Sequence, residues 1–340
     1  MLPPPIVYAA IPCYNEAEAL PVTIKQLTEV FEQLAQERLI SKESRLLFVD
    51  DGSKDATWSL IVAAQVTNRW VLGLKLARNA GHQKALLAGL MHARKYADCV
   101  VSMDADLQDD IWAVREFVLK YNEGFEVVYG VRRSRTTDTW FKRWSAESFY
   151  KLMQGMGIPL VYNHADYRLM SKRALEQLSR YEEVNLFLRG IVPTIGFRST
   201  TVEYDRKERI AGESKYPLRK MLSFAWDGVT SFSVKPMRVV TTLGFLSLGV
   251  SIAVGAYALW SKILGETVSG WTSMILSVWF IGSIQLLALG VIGEYIGKIY
   301  SEVKRRPPFI VEEALVDEPY RTLVSTQQKE EAAVVDSMKH

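Results

Sequence analysis

The sequence predicts an α/β fold: a parallel, doubly wound sheet followed by a hairpin of two membrane-crossing helices. Three observations predict it. Apolar runs of strand length alternate with stretches of helical periodicity along the first third of the chain. These runs end in acidic or turn-forming residues, where a parallel sheet opens its ligand-binding edge. Beyond residue 238 the apolar residues gather in two long stretches without charge.

Ile6–Ile11 reads as the first buried strand, ended by Pro12-Cys13-Tyr14-Asn15-Glu16. A helix from about Ala17 to Glu37 follows, with Leu20, Ile24, Leu27, Val30, Phe31 and Leu34 at helical spacing. Leu46–Val49 is the second strand. It runs into Asp50-Asp51-Gly52-Ser53-Lys54-Asp55, a turn with a helix N-cap built in. Another helix reaches about Asn68, Val71–Leu76 is the third strand, and Arg78-Asn79-Ala80-Gly81-His82-Gln83-Lys84 opens a helix rich in small residues.

The fourth strand, Val100-Val101-Ser102-Met103, ends in Asp104-Ala105-Asp106-Leu107-Gln108-Asp109-Asp110. Asp104 and Asp106 straddle one residue, so at a strand end both can turn toward one point outside the sheet. Two hard oxygen ligands there suit magnesium or manganese, which keep positions open for substrate phosphates. A solvated acidic turn has the same pattern, so the pair needs support from its surroundings. Val127–Gly130 is a further strand, and the basic residues Arg132, Arg133, Arg135, Lys142 and Arg143 come next. Singly these are ordinary solvated cations; as a group they follow directly on the proposed metal–phosphate site. Ala165-Asp166-Tyr167-Arg168-Leu169-Met170 mixes charges with apolar residues, as the edge of an active site does.

A net charge of +3 over 340 residues offers no footprint for nucleic acid. The two cysteines, Cys13 and Cys99, fall in buried strands, which excludes a disulfide framework and indicates reduced, cytosolic thiols. The first residues lack a basic n-region, and Ile6–Ile11 is too short for a signal peptide, so the catalytic part is expected to stay in the cytosol.

Between Pro217 and Val234 apolar residues form a helical stripe beside Arg219 and Lys220, which fits a helix lying in the membrane interface. Val239–Trp260 and Trp271–Gly293 carry no charge. Each suffices to cross a hydrocarbon core of about 30 Å at 1.5 Å per residue. Lys235 and Arg238 precede them and Lys298, Lys304, Arg305 and Arg306 follow, which places both ends on the cytosolic side. Gly244, Gly249, Gly255, Gly282, Gly290 and Gly293 allow close helix contact, within the hairpin or between protomers. The expected division is therefore a cytosolic catalytic domain over 1–216, an interfacial helix over 217–237, two transmembrane helices over 238–300 and a cytosolic tail over 301–340, polar and disordered beyond about Thr326.

Together Pro12-Cys13-Tyr14-Asn15-Glu16, Val49-Asp50-Asp51-Gly52-Ser53, Arg78-Asn79-Ala80-Gly81-His82 and Asp104-Ala105-Asp106-Leu107-Gln108 resemble the inverting glycosyltransferases of the GT-A (Rossmann-like) fold, family two. The hairpin and Gly293-Glu294-Tyr295-Ile296-Gly297-Lys298-Ile299-Tyr300 look like the bacterial polyprenyl-phosphate glycosyltransferases, relatives of dolichol-phosphate mannose synthase. The resemblance implies that Pro12, Tyr14 and Glu16 shape the nucleotide pocket, and that Asp51, with Asp50 beside it, accepts hydrogen bonds from the uracil or ribose. It implies that Asp104, Asp106 and Gln108 gather round Mg2+ or Mn2+, with Asp104 also facing the donor. Arg132 and Arg143 would receive the acceptor phosphate, and Arg209, Ser214 and Lys215 would close a loop on the donor phosphates. Asp166 matches the carboxylate often proposed as base. His82 departs from the pattern, standing where many soluble relatives carry lysine. The processive signature Q-x-x-R-W is absent, which points to transfer of one sugar.

The implied partners are a nucleotide-sugar donor, a polyprenyl (undecaprenyl) phosphate acceptor and the cytoplasmic membrane, spanned more than once with both termini in the cytosol. A homo-oligomer is implied too, a tetramer among the options. UDP-glucose is the expected donor; GDP-mannose, UDP-N-acetylglucosamine or a UDP-amino-arabinose derivative are alternatives, as is a nucleotide-sugar-binding scaffold without turnover. A phosphate monoester has its second pKa at about 6, so the acceptor is already an anionic nucleophile. Asp166 is thus expected to orient the sugar or the nucleophile rather than serve as an essential base.

Overall fold

Apolar alternation sends successive side chains of a strand to opposite faces of a sheet, and in this protein both faces are covered. The computed structural model describes residues 3–133, 164–184, 187–205, 230, 235–264 and 270–315. Eight strands form one sheet: β1 (Val7–Cys13), β2 (Arg45–Asp50), β3 (Val71–Leu76), β4 (Cys99–Ser102), β5 (Val127–Arg132), β6 (His164–Ser171), β7 (Ser199–Tyr204) and β8 (Val311–Leu315), in the order β7-β5-β6-β4-β1-β2-β3-β8. Helices α1 (Leu20–Gln36), α2 (Thr57–Thr67) and α4 (Ala113–Asn122) accompany one face, where Val7, Ala9 and Ile11 join Phe31, Ile61 and Phe117 in a core. On the other face Tyr8 and Ala10 meet α3 (His82–Ala93), α5 (Lys172–Leu178) and α6 (Leu188–Thr194).

The α/β expectation holds, but the sheet is mixed rather than wholly parallel. Strands β1, β2, β3 and β4 run parallel. β6 enters antiparallel between β4 and β5, and β7 is parallel to β5. Local sequence carries no sign of strand direction, since β6 needs only partners, and those lie far away in the chain. Because β6 is antiparallel, its beginning rather than its end reaches the carboxyl edge of β4, with Ser102 opposite Arg168.

The tail also differs from expectation. Val311–Leu315 returns as β8 and pairs antiparallel with β3, and Lys75 binds Glu312 at 3.1 Å across the pair. A five-residue edge strand leaves too short an alternation to read. Residues 316–340 and all but Thr230 of the expected interfacial stretch 217–234 lie outside the described residues. Cys13 and Cys99 are buried and free, as expected; burial pushes both thiols up from the usual range.

Two long helices follow, α7 (Lys235–Ile263) and α8 (Trp271–Val303). Phe245, 72 % exposed, is one of many large apolar side chains bare along them, with Leu243, Leu246, Leu286 and Leu287. Among the described residues one segment, Phe280–Val303, is long and apolar enough by length and composition to cross a membrane. Among the described residues a Cβ on Gly244, Gly249, Gly282, Gly290 or Gly293 would meet nothing within 4 Å, and the surroundings of Gly255 lie outside them.

Candidate active site

Four loops rise from the carboxyl ends of β1, β2, β3 and β4, and side chains lace them together. The Asn15 N–H donates to Ser53 Oγ (3.0 Å), the Lys54 N–H to Asn15 Oδ1 (2.9 Å) and the Glu16 N–H to Thr57 Oγ1 (2.9 Å). Asn15 takes a positive φ of 55°, a conformation that asparagine tolerates better than most residues. Gly52, at φ 67°, runs so close to the β3–α3 loop that a Cβ would sit 2.7 Å from Arg78 C and Asn79 N. Only glycine fits such an approach. Asp51 ties the same loops: its Oδ1 accepts the Ala80 N–H (2.7 Å) and its Oδ2 the Gly81 N–H (2.9 Å). Burial raises the Asp51 carboxyl from its ordinary range, against these two bonds. Asp50 is fully buried beneath this floor; its Oδ1 accepts the Ser53 N–H at 3.1 Å. Tyr14 is exposed, at 42 %, on the rim.

Asp104 and Asp106 follow β4 at the same edge. Leu107 between Asp106 and Gln108 has φ 53°, a costly conformation for leucine, and the Gln108 N–H donates to Asp106 Oδ1 at 3.2 Å. His82, the first residue of α3, places Nε2 3.5 Å from Asp104 Oδ1 and 4.0 Å from Asp166 Oδ2. Burial raises the Asp104 carboxyl first; His82 opposes, Asp166, Asp109 and Asp106 add, and the result is about 6. Among the described residues no group of three or more His, Cys, Asp or Glu is arranged as a complete metal cage. The donor set still suits a magnesium-type ion, which is held by one or two carboxylates and completed by water and substrate phosphates.

Alternation along β6 puts Asp166 and Arg168 on the α3–α6 face, while Tyr167 and Leu169 join the opposite core. There Asp166 meets two guanidinium groups. Arg189 of α6 donates from Nε to Oδ1 (3.1 Å) and from Nη2 to Oδ2 (2.9 Å), and Arg168 Nη2 donates to Oδ1 (2.9 Å). Arg168 is 1 % exposed, whereas the Arg189 side chain is 34 % exposed toward solvent. Burial would raise the Asp166 carboxyl, but Arg189 and Arg168 outweigh it and hold it well below the usual carboxylate range. The backbone is fixed as well, since Ser102 Oγ donates to the Asp166 carbonyl at 2.5 Å.

Arg132, at the end of β5, is engaged by Asp109 (3.3 Å) and donates to Tyr204 Oη (3.4 Å), while the Tyr204 hydroxyl donates to Asp109 (2.8 Å). The structure thus brings Pro12, Tyr14, Glu16, Asp50, Asp51, Asp104, Asp106, Gln108, Arg132 and Asp166 to one edge of one sheet. Arg143, Arg209, Ser214 and Lys215 lie outside the described residues. Sequence reasoning missed Arg189, Asp109 and Tyr204 as members. Arg189 left one faint signal, a lone cation in the apolar run Phe187–Val192. Nothing local tied it to a carboxylate 23 residues away.

Residues 8–179 match Glycosyl transferase family 2, and residues 235–299 match the GtrB C-terminal hairpin. The chain is 58 % identical to the glycosyltransferase YkoT of Bacillus subtilis, over 96 % of both chains. It is 40 % identical to a prophage-derived bactoprenol glucosyl transferase of Shigella flexneri, over 89 % of this chain and 96 % of that one. Among solved structures it is similar to a mannosyltransferase from Pyrobaculum calidifontis, with TM-score 0.42, 15 % identity, and 89 % and 86 % of the two chains covered. With a family match over half its length and full-length relatives well above 30 % identity, the chain belongs to glycosyl transferase family 2 and is a glycosyltransferase with a GtrB-type C-terminal hairpin.

Proposed function

We propose that the enzyme transfers one glucose from UDP-glucose to a polyprenyl phosphate at the cytosolic face of the membrane, with inversion at the anomeric carbon. One observation carries this reading: the acidic pair Asp104/Asp106 and the arginine-clamped Asp166 share a sheet edge in a chain that continues into helices with bare apolar surfaces. A soluble acceptor would not require those surfaces; an acceptor whose tail stays in the bilayer does. The bactoprenol glucosyl transferases to which the chain is 40 % identical support the lipid acceptor and the glucosyl donor.

Asp104 and Asp106, with Gln108 beside them, would hold Mg2+ or Mn2+, which when bound neutralises charge on the departing diphosphate. Pro12, Tyr14, Glu16 and the Asp50–Asp51 floor would receive the nucleotide, and Arg209, Ser214 and Lys215 would cover its phosphates. Arg132 and Arg143 would hold the acceptor phosphate through the forked geometry of guanidinium groups. An acceptor phosphate oxygen forms its bond to the anomeric carbon as the bond from that carbon to the diphosphate oxygen breaks, and UDP leaves. Asp166, kept ionised by its arginines, orients the sugar and takes no proton. The chain leaves the catalytic sheet for α7 and rejoins it as β8, which supports an even number of crossings, a multi-pass anchor and both termini in the cytosol. The glycines of α7 and α8 leave room for close helix contact, which supports a homo-oligomer, such as a tetramer, as part of this reading.

The test is turnover by purified enzyme in lipid nanodiscs with undecaprenyl phosphate, Mg2+ and each of UDP-glucose, GDP-mannose, UDP-N-acetylglucosamine and a UDP-amino-arabinose derivative. Glucosyl lipid and UDP, lost on chelation, are expected. Product from another donor alone would replace the glucose assignment, and donor binding without product would leave a scaffold.

A further inference from the structure

The cytosolic end of α8 makes two contacts from one helical face, one to the catalytic domain at Val184 and one to Thr230 in the stretch that precedes α7. Glu302 accepts the Val184 N–H with both carboxylate oxygens, at 3.1 and 2.9 Å. One turn earlier, Lys298 Nζ donates to Thr230 Oγ1 at 2.5 Å. The spacing i, i+4 puts both side chains on one stripe. Along this part of α8, Glu294, Tyr295, Lys298 and Glu302 are half-buried while Ile296, Ile299 and Tyr300 are exposed, so that stripe is the covered one.

Val184 lies four residues before Leu188, where α6 begins. The peptide groups of Leu188 are held from two sides: its N–H donates to Gln83 Oε1 of α3 (3.3 Å), and its carbonyl accepts from Arg168 Nη1 (3.4 Å). The next residue is Arg189, which clamps Asp166. The α8 contact at Val184 and the hydrogen bonds at Leu188 thus lie four residues apart on one stretch of chain, and the bonds at Leu188 and Arg189 lead on to Asp166. Glu302 holds its place at a cost, since burial and the charge of Glu302 both raise the Glu183 carboxyl beside it. A purely mechanical tether could avoid that like-charge contact.

We propose that Glu302 is a positioning residue for sugar transfer: by holding the Val184 N–H it sets the approach to α6, so that Arg189 grips Asp166 in the reactive arrangement. The consequence is that α8, beyond anchoring the enzyme, tunes the site that faces its lipid acceptor. This inference rests on the proposed transfer to a lipid phosphate.

Full-length wild type, E302A, E302Q, R189K and E302A/R189K in nanodiscs test it. E302A should lower kcat about tenfold while changing the donor KM less than about twofold, since a small misplacement costs rate before affinity. In E302Q an amide oxygen still accepts the Val184 N–H, so at least about half of kcat should return. In the R189K background, E302A should change kcat less than about twofold, as residues acting through one another do. Amide hydrogen exchange over 184–194 should quicken in E302A and stay unchanged over β1–β4. Wild-type kcat in E302A, an E302Q as slow as E302A, fully additive losses or unchanged exchange would each overturn the proposal. The exchange measurement needs no substrate, so a wild type inactive with glucosyl donor and undecaprenyl phosphate would count against the transfer reading alone.

Discussion

Arg189 closes on Asp166 like a two-pronged fork, Nε on one carboxylate oxygen and Nη2 on the other, at 3.1 and 2.9 Å. Arg168 approaches the same carboxylate from within the core at 2.9 Å. A carboxylate so bound by two cations is a poor proton acceptor and a rigid one. That pairing supports the proposed role of Asp166 as a positioning group over a role as base.

Asp166→Asn is expected to destabilise the domain by about 3–5 kcal/mol, because it leaves the buried Arg168 charge unbalanced. The sign with pH follows from the lowered carboxyl. The ion pair contributes stability above the ordinary carboxylate pKa of about 3.9 and loses it as pH falls below that value. The gap in thermal unfolding between wild type and variant should therefore narrow as pH falls from about 5 to 3. On the proposed role, in which Asp166 takes no proton, the acid limb of the kcat profile should stay where it is; a limb that moved with the substitution would restore it as the base.

Gly52→Ala brings a methyl group to within 2.7 Å of the Arg78–Asn79 backbone and forces alanine to φ 67°. Backbone cannot yield there without opening the floor that Asp51 holds together. A stability loss of at least about 2 kcal/mol is expected, together with a weakened nucleotide affinity. Chemical denaturation and UDP titration by calorimetry measure the two separately.

His92, in the last turn of α3, lies with its ring 5.4 Å from that of Tyr96, and burial lowers its pKa to about 4. A histidine kept neutral in the fold but charged when unfolded stabilises above its unfolded pKa of about 6.5 and loses that contribution as pH drops toward 4. At 1.36 kcal/mol per unit, wild type should be about 2 kcal/mol less stable at pH 5 than at pH 8 from this group. His92→Gln should flatten that part of the curve; an unchanged slope would place its origin elsewhere.

Leu315 of β8 is buried, with its Cδ1 2.7 Å from the place where a Cβ on Gly73 would lie. Leu315→Ala is expected to cost about 2–3 kcal/mol, the usual loss for a buried leucine. Limited proteolysis should then cut the tail near residues 304–310 faster than in wild type. Equal protection would mean that the edge strand adds nothing to the sheet.

The amino-acid sequence by itself determined the elements with strong periodicity and the chemistry at their ends. Val71–Leu76 is a strand in both readings, the helix expected over Ala17–Glu37 is α1 at Leu20–Gln36, and the charge-free runs lie within α7 and α8. Asp104, Asp106 and Asp51 could be singled out because their setting is local: a buried strand, then carboxylates, then a turn. Only the tertiary structure decided the rest. The antiparallel entry of β6 delivers Asp166 to the edge of β4, and α6 then supplies Arg189. The return of β8 and the grip of Glu302 on Val184 join segments far apart in the chain. Side-chain periodicity is a property of neighbours within a few residues and survives in any isolated segment. Strand direction, edge pairing and a hydrogen bond across more than a hundred residues exist only once the whole sheet has formed around its core.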